Sequence, residues 1–247
     1  MKVFSIAEIG SNWEGNLSIG KKIIKECKKS GADAVKFQMW RAEDLYPSHP
    51  LFKQIKKTEL SPKTAQKFKK FADSIGIEFF CSVFYPEAVD FLETLGVKRY
   101  KIASRTCTLK DPLSKETISA VNSTKKPTIV SMGMGGNRKH IEKSLLKNKT
   151  TFCYCISDYP LKIEKMNWTS ALNYTGLSDH TLGISASILF AGFMKMKKKK
   201  QIIIEKHVKL SNSKSLDAST SLDINQFKIM NESFRSIEKL KNLPNFN

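Results

Sequence analysis

Arginine is scarce in this chain. Of 42 Lys and Arg residues only Arg41, Arg99, Arg105, Arg138 and Arg235 are arginine. Acidic side chains are few as well, 23 Asp and Glu, so the 247 residues carry a formal net charge of +19. That charge brings nucleic acid, acidic membranes and anionic small molecules into question as partners. Nucleic-acid readers lean on the guanidinium fork for bidentate contacts, so a lysine surplus argues for solvated helix faces and against nucleic acid. Long apolar runs are lacking too. The most apolar stretch, 183–196, falls short of the roughly 20 residues a membrane span needs and reads as a buried helix. The opening MKVFSIAEIG is too short and too acidic for a signal peptide. The five cysteines are odd in number and scattered, which excludes a disulfide framework and fits a reducing, cytoplasmic setting. Cys153 and Cys155 share one strand face but lack the second pair of a metal site, so they read as small core residues. No glycine-rich loop follows the first strand, which argues against a dinucleotide fold.

What is present is a repeating alternation. With 40% hydrophobic and 10% aromatic residues the chain can bury a real core. Short β-rich runs fall at 3–9, 34–39, 78–84, 99–104, 127–133, 150–157, 175–180 and 201–208, each followed by a helical stretch. In the first such stretch Leu17, Ile19, Ile23, Ile24 and Cys27 share one helical face, and Gly31 is a stop signal. Pro62 and Pro86 mark helix starts. Eight strand–helix units without a composition break predict a parallel sheet, and about 250 residues is the usual length of a closed (β/α)8 TIM barrel in a single domain. Trp40 to Leu60 is one long loop that could cover a site.

In such a barrel, chemistry sits at the C-terminal ends of the strands. Those ends carry Glu8; Lys36 and Gln38 on one face; Ser82; Lys101 and Ser104; Ser157 followed by Asp158 and Tyr159; Ser178 and His180; and Glu205 and His207, with Lys206 facing away. Charged groups buried without partners are costly. Lysines and hydroxyls converging on one point therefore predict an oxyanion or phosphate site. His180 and His207, on neighbouring strands, suit a divalent transition metal with open positions, although the spacing equally allows hydrogen-bonded core histidines.

Several of these residues stand in recognisable motifs. They are Ala7-Glu8-Ile9-Gly10-Ser11-Asn12, Lys36-Phe37-Gln38, Lys101-Ile102-Ala103-Ser104, Tyr159-Pro160, Gly176-Leu177-Ser178-Asp179-His180-Thr181-Leu182-Gly183 and Glu205-Lys206-His207. In this order they resemble the sialic acid (nonulosonate) synthase family over nearly the whole chain. The resemblance implies a TIM-barrel transferase of carbohydrate biosynthesis. It would condense phosphoenolpyruvate with an N-acyl hexosamine aldehyde, typically N-acetylmannosamine, and release phosphate. It gives phosphoenolpyruvate to Lys36, Ser82, Lys101, Ser104, Ser157 and Ser178, and a divalent metal, usually manganese with magnesium or cobalt as alternatives, to His180 and His207. The sugar would meet Glu8, Gln38, Tyr159 and Asp217. Glu8, Lys36 and Lys101 are then the candidate catalytic groups, and a homodimer is the implied assembly.

The chain also departs from the family pattern. Trp13-Glu14 stands where the family has His and a variable residue. Ser104-Arg105-Thr106 replaces Ser-x-Glu, so a carboxylate is missing. Met132 stands for Thr, Tyr154 for a frequent His, and Ala218 for the His that follows the final Asp. The family's small C-terminal antifreeze-like domain is not in this sequence; either a separate chain supplies it, or the substrate differs, or the protein is no longer this enzyme. Two other readings follow from these departures: a phosphoenolpyruvate-dependent aldol-type synthase with another acceptor, and a catalytically inactive barrel serving as a binding or assembly partner.

Overall fold

In the computed structural model, which describes residues 1–244, eight parallel strands close on themselves. They are β1 (Lys2–Glu8), β2 (Ala34–Met39), β3 (Glu78–Val83), β4 (Tyr100–Ile102), β5 (Thr128–Ser131), β6 (Thr150–Cys155), β7 (Gly176–Asp179) and β8 (Gln201–Lys209). Each pairs with the next, and β1 pairs with β8 over seven registered positions to complete the barrel. A two-residue β9 (Leu222–Asp223), not foreseen in the sequence, extends the top of β8.

The helical layer comprises α1 (Leu17–Lys29), α2 (Ala42–Leu45), α3 (Phe52–Lys57), α4 (Pro62–Ser74), α5 (Pro86–Thr94), α6 (Ser114–Thr124), α7 (Arg138–Ser144), α8 (Trp168–Ala171), α9 (Ser185–Met196) and α10 (Ile224–Lys239). Pro62 and Pro86 occupy first turns, where a missing N–H costs nothing. The α1 helix starts on the Asn16 side chain, which accepts from the backbone N–H of Ser18 and Ile19. A reciprocal Asp223–Gln226 capping box opens α10. The segment expected as a loop from Trp40 to Leu60 instead carries α2 and α3. Trp40, Ala42, Leu45, Ile55 and Phe84 form a small apolar cluster of their own beneath it. None of the described helices is long and apolar enough to cross a membrane.

Side chains alternate across each strand, and this alternation builds the barrel in layers. Outward-facing residues such as Val35, Phe37, Phe79 and Ile204 join the helices in the main core. Inward-facing Phe4, Ile6, Ala34, Phe80, Ile129, Cys153 and Ile203 fill the lower barrel with apolar side chains. Gly176 belongs to this layer because a Cβ there would lie 2.4 Å from Cys153 Sγ. One step further along the same strands, the inward positions turn polar.

Candidate active site

The first polar layer is a cluster of four buried charges. Register pairs Glu8 with Lys36, and Lys36 Nζ lies 2.6 Å from Glu8 Oε2 and 2.7 Å from Ser82 Oγ. Lys101 Nζ is 3.1 Å from Glu205 Oε2 and 3.2 Å from Oε1. Glu205 also lies 3.7 Å from Lys36, which joins the two pairs. Ser178, registered opposite Glu205, donates to its Oε1 at 2.8 Å. Gln38 Nε2 donates to Glu8 Oε1 at 2.6 Å. Two cations and two anions thus balance in a space closed to solvent, which is what makes burial tolerable.

Their environments separate the two carboxyls. Burial pushes Glu8 up to about 7, with Lys36 pulling against the rise and Glu205 adding to it. Burial also opposes ionisation of Glu205, but Lys101 and Lys36 outweigh it and hold that carboxyl below the usual range. For Lys101 burial works against the charge, yet Glu205 prevails and keeps the ammonium protonated. A pair of carboxyls driven apart in this way supplies one group able to carry a proton near neutrality and one fixed anion.

Two imidazoles stand above this layer, with ring centroids 5.7 Å apart. His180 Nδ1 lies 2.8 Å from the Ile156 carbonyl, to which it donates, so in the neutral ring Nε2 keeps its lone pair. His207 Nδ1 is buried with no protein partner. The Tyr159 ring lies 4.3 Å from that of His180 at the mouth. Burial drives His207 down to about 4. His180 moves up instead: burial opposes protonation, but the Cys155 sulfur and the Ile156 carbonyl outweigh it. Both histidines offer nitrogen to a divalent transition metal, and an orphaned imidazole nitrogen is the kind of atom such an ion satisfies. Among the described residues no group of three or more His, Cys, Asp or Glu could hold an ion. A divalent ion here would find two protein ligands, with water filling its other positions.

The depressed His207 has a consequence for stability. Above its unfolded value near 6.5 neither state holds the proton; as pH falls toward 4 the unfolded chain takes it up and the native one does not. Native stability therefore falls on acidification. Between about pH 7 and about pH 5 the loss from this group alone is about 2 kcal/mol. Urea unfolding at the two pH values, compared with His207→Gln, isolates it. An equal pH dependence in both proteins would show that His207 is not shielded as described.

Every expected site residue but one lines a single cavity: Glu8, Lys36, Gln38, Ser82, Lys101, Ser104, Ser157, Tyr159, Ser178, His180 and His207. Asp217 stands at the edge. Its Oδ2 accepts from both the backbone N–H and the hydroxyl of Ser11 at 2.7 Å. Gly10, at φ +50°, admits this approach, since a Cβ would lie 2.5 Å from that oxygen and 3.2 Å from His207 Cε1. The cavity also includes Glu205, Ser131 and Cys155. Alternation had put Glu205 on the rim without a role, and Ser131 and Cys155 had none either. Ser131 Oγ and Ser157 Oγ are buried without a protein partner. Ser104 Oγ accepts from Gly133 N at 2.8 Å and donates to Cys155 Sγ at 3.6 Å. Thr106, where a carboxylate was expected, is buried with its hydroxyl unpaired.

A family model described as "NeuB family" matches residues 23–243. The chain belongs to the NeuB family. An N,N'-diacetyllegionaminic acid synthase of Legionella pneumophila is 30% identical to it, covering 96% of this chain and 73% of the relative. A pseudaminic acid synthase of Campylobacter jejuni is 32% identical, covering 96% and 74%. An uncharacterised protein of Methanocaldococcus jannaschii is 36% identical, covering 96% and 71%. The fold matches the crystal structure of an N-acetylneuraminic acid synthetase from Leptospira borgpetersenii with a TM-score of 0.84 at 24% identity, over 97% of this chain and 85% of that one. The NeuB relatives named here are longer than this chain, which spans roughly three quarters or less of each.

Proposed function

We propose that this barrel condenses phosphoenolpyruvate with the open-chain aldehyde of an N-acyl hexosamine, giving a nonulosonic acid and phosphate. The observation that carries the reading is Lys36 and Lys101, two buried ammonium groups, converging on one cavity below two imidazoles. Membership of the NeuB family supports it, and the reducing cytoplasm is the compartment it implies.

The chain's own groups suggest the roles. Lys36 and Lys101 offset the charge of the phosphate and carboxylate, and the unpaired hydroxyls of Ser131 and Ser157 donate to their oxygens. Ser82, Ser104 and Ser178 add directional contacts. A divalent metal held by His180 and His207 would supply Lewis acidity toward the acceptor aldehyde. The methylene carbon of phosphoenolpyruvate attacks the aldehyde carbon, leaving positive charge at C2, which the fixed anion of Glu205 offsets. Glu8, with its raised pKa, supplies a proton to the new hydroxyl. Water adds at C2 and returns a proton to Glu8, and phosphate leaves by C–O cleavage of the tetrahedral adduct, taking the C2 hydroxyl proton as the ketone forms. Acceptor hydroxyls would fall to Gln38 and Tyr159 in the cavity and to Asp217 at its edge.

The full chain should release phosphate from phosphoenolpyruvate only when Mn2+ and an N-acyl hexosamine are both present. Removing metal with a chelator should stop release, and Mn2+ should restore it. Acceptor-independent release, or none with any hexosamine aldehyde, contradicts the reading; binding of phosphoenolpyruvate without turnover would point to a non-catalytic barrel.

A further inference from the structure

On the outer side of the barrel wall, behind the two imidazoles, lies an ion pair that the chemistry above does not use. Alternation turns Ser178, His180, Glu205 and His207 inward, so Asp179 and Lys206 face the helical layer. Register sets them opposite each other on β7 and β8. Lys206 Nζ is 3.0 Å from Asp179 Oδ2, and both side chains have no solvent exposure. Lys206 also donates to the Thr181 carbonyl. Asp179 Oδ1 accepts from the Thr181 backbone N–H and hydroxyl, each at 2.8 Å, while Oδ2 accepts from Ser187 of α9 at 2.6 Å. Residues 179 and 181, on either side of His180, are thus tied to residue 206, the neighbour of His207. The His180 carbonyl is held as well, by Leu161 N and Thr220 Oγ1 at 2.9 Å each.

A buried ion pair is a poor source of stability, since well-packed apolar residues of similar volume serve as well or better. Its surroundings here are otherwise largely the apolar sheet–helix core. What the pair does provide is a fixed geometry between two adjacent strand ends. We propose that Asp179 and Lys206 are positioning residues that clamp His180 and His207 at the separation a shared divalent metal requires. The inference rests on the metal reading given above.

The test uses the full chain with Asp179→Asn and Lys206→Met combined, which removes both charges without stranding either. Mn2+ affinity should fall about 10–100-fold, the usual cost of losing groups that orient metal ligands. Phosphoenolpyruvate affinity, carried mainly by Lys36 on β2 and Lys101 on β4, should stay within about two-fold. Mn2+ binding measured well below the melting temperature separates this from a purely structural role, which would lower melting and leave affinity intact. A folded double variant with wild-type Mn2+ affinity overturns the clamp. If the double variant does not fold, Thr181→Val keeps the ion pair but cuts both links made by the Thr181 hydroxyl, to Asp179 and to Lys206; unchanged Mn2+ affinity there overturns the clamp equally. Imidazole signals in a 1H–13C spectrum of the metal-free protein give a separate readout. If wild type binds no Mn2+, the metal assignment fails on its own, and the clamp stands only if the variants still displace the His180 and His207 signals.

Discussion

Replacing His180 or His207 with alanine should abolish metal-dependent turnover, a loss of at least about a thousand-fold. That corresponds to about 4 kcal/mol of transition-state stabilisation, within the several kcal/mol a Lewis-acidic ion supplies. The two variants should differ in stability. His207 Nδ1 has no protein partner, so its removal breaks no hydrogen bond there. His180 Nδ1 donates to the Ile156 carbonyl, and losing that bond leaves a carbonyl to be resolvated at about 1 kcal/mol. His180→Ala should therefore melt lower than His207→Ala, while both remain folded by circular dichroism. Mn2+ titration of the two proteins completes the comparison. Retained turnover in either would remove the imidazole pair from the site.

The second large effect is on stability. Among the described residues Glu205 is the only carboxylate within ion-pair distance of Lys101, whereas Lys36 has Glu8 as well. Glu205→Gln leaves Lys101 as a buried cation without a counter-charge, and breaking one side of a buried pair costs about 3–5 kcal/mol. For a chain of this size the melting temperature should drop on the order of 10 °C. Phosphate or phosphoenolpyruvate should recover part of that loss, because either anion would supply the missing charge to Lys101 and Lys36. An unchanged melting temperature would mean that the four charges are not closed off as described. A drop that no anion repairs would argue against an anion site between the lysines.

Much of this arrangement was legible in the sequence. Strand alternation alone put Lys36 with Gln38, Ser178 with His180, and Glu205 with His207 on common faces, and the strand-end rule put them all at one rim. What it could not give was register. That Glu205 falls between Lys101 and Lys36, and so completes the charge cluster, depends on β8 lying beside both β1 and β7 at a particular stagger. Register is a property of pairs of strands, which a reading along one chain segment does not contain. The same limit hid the clamp: Lys206 was read as facing away, but its partner is set by β7. The helices α2 and α3 were missed for a different reason. At four and six residues they are too short to display a period, and the cluster of Trp40, Leu45, Ile55 and Phe84 holds them rather than propensity. Asp217 was identifiable only by its place in the family pattern, because it lies on a loop outside any periodic element.

The most direct measurement is the mass of the product formed from uniformly 13C-labelled phosphoenolpyruvate, Mn2+ and an N-acyl hexosamine by the full chain. The proposed chemistry predicts an acid whose mass is the sum of both substrates and one water less one phosphoric acid. It should carry all three labelled carbons and appear in step with one phosphate per molecule. Labelled pyruvate as the sole product, or unchanged phosphoenolpyruvate with every acceptor, would contradict it.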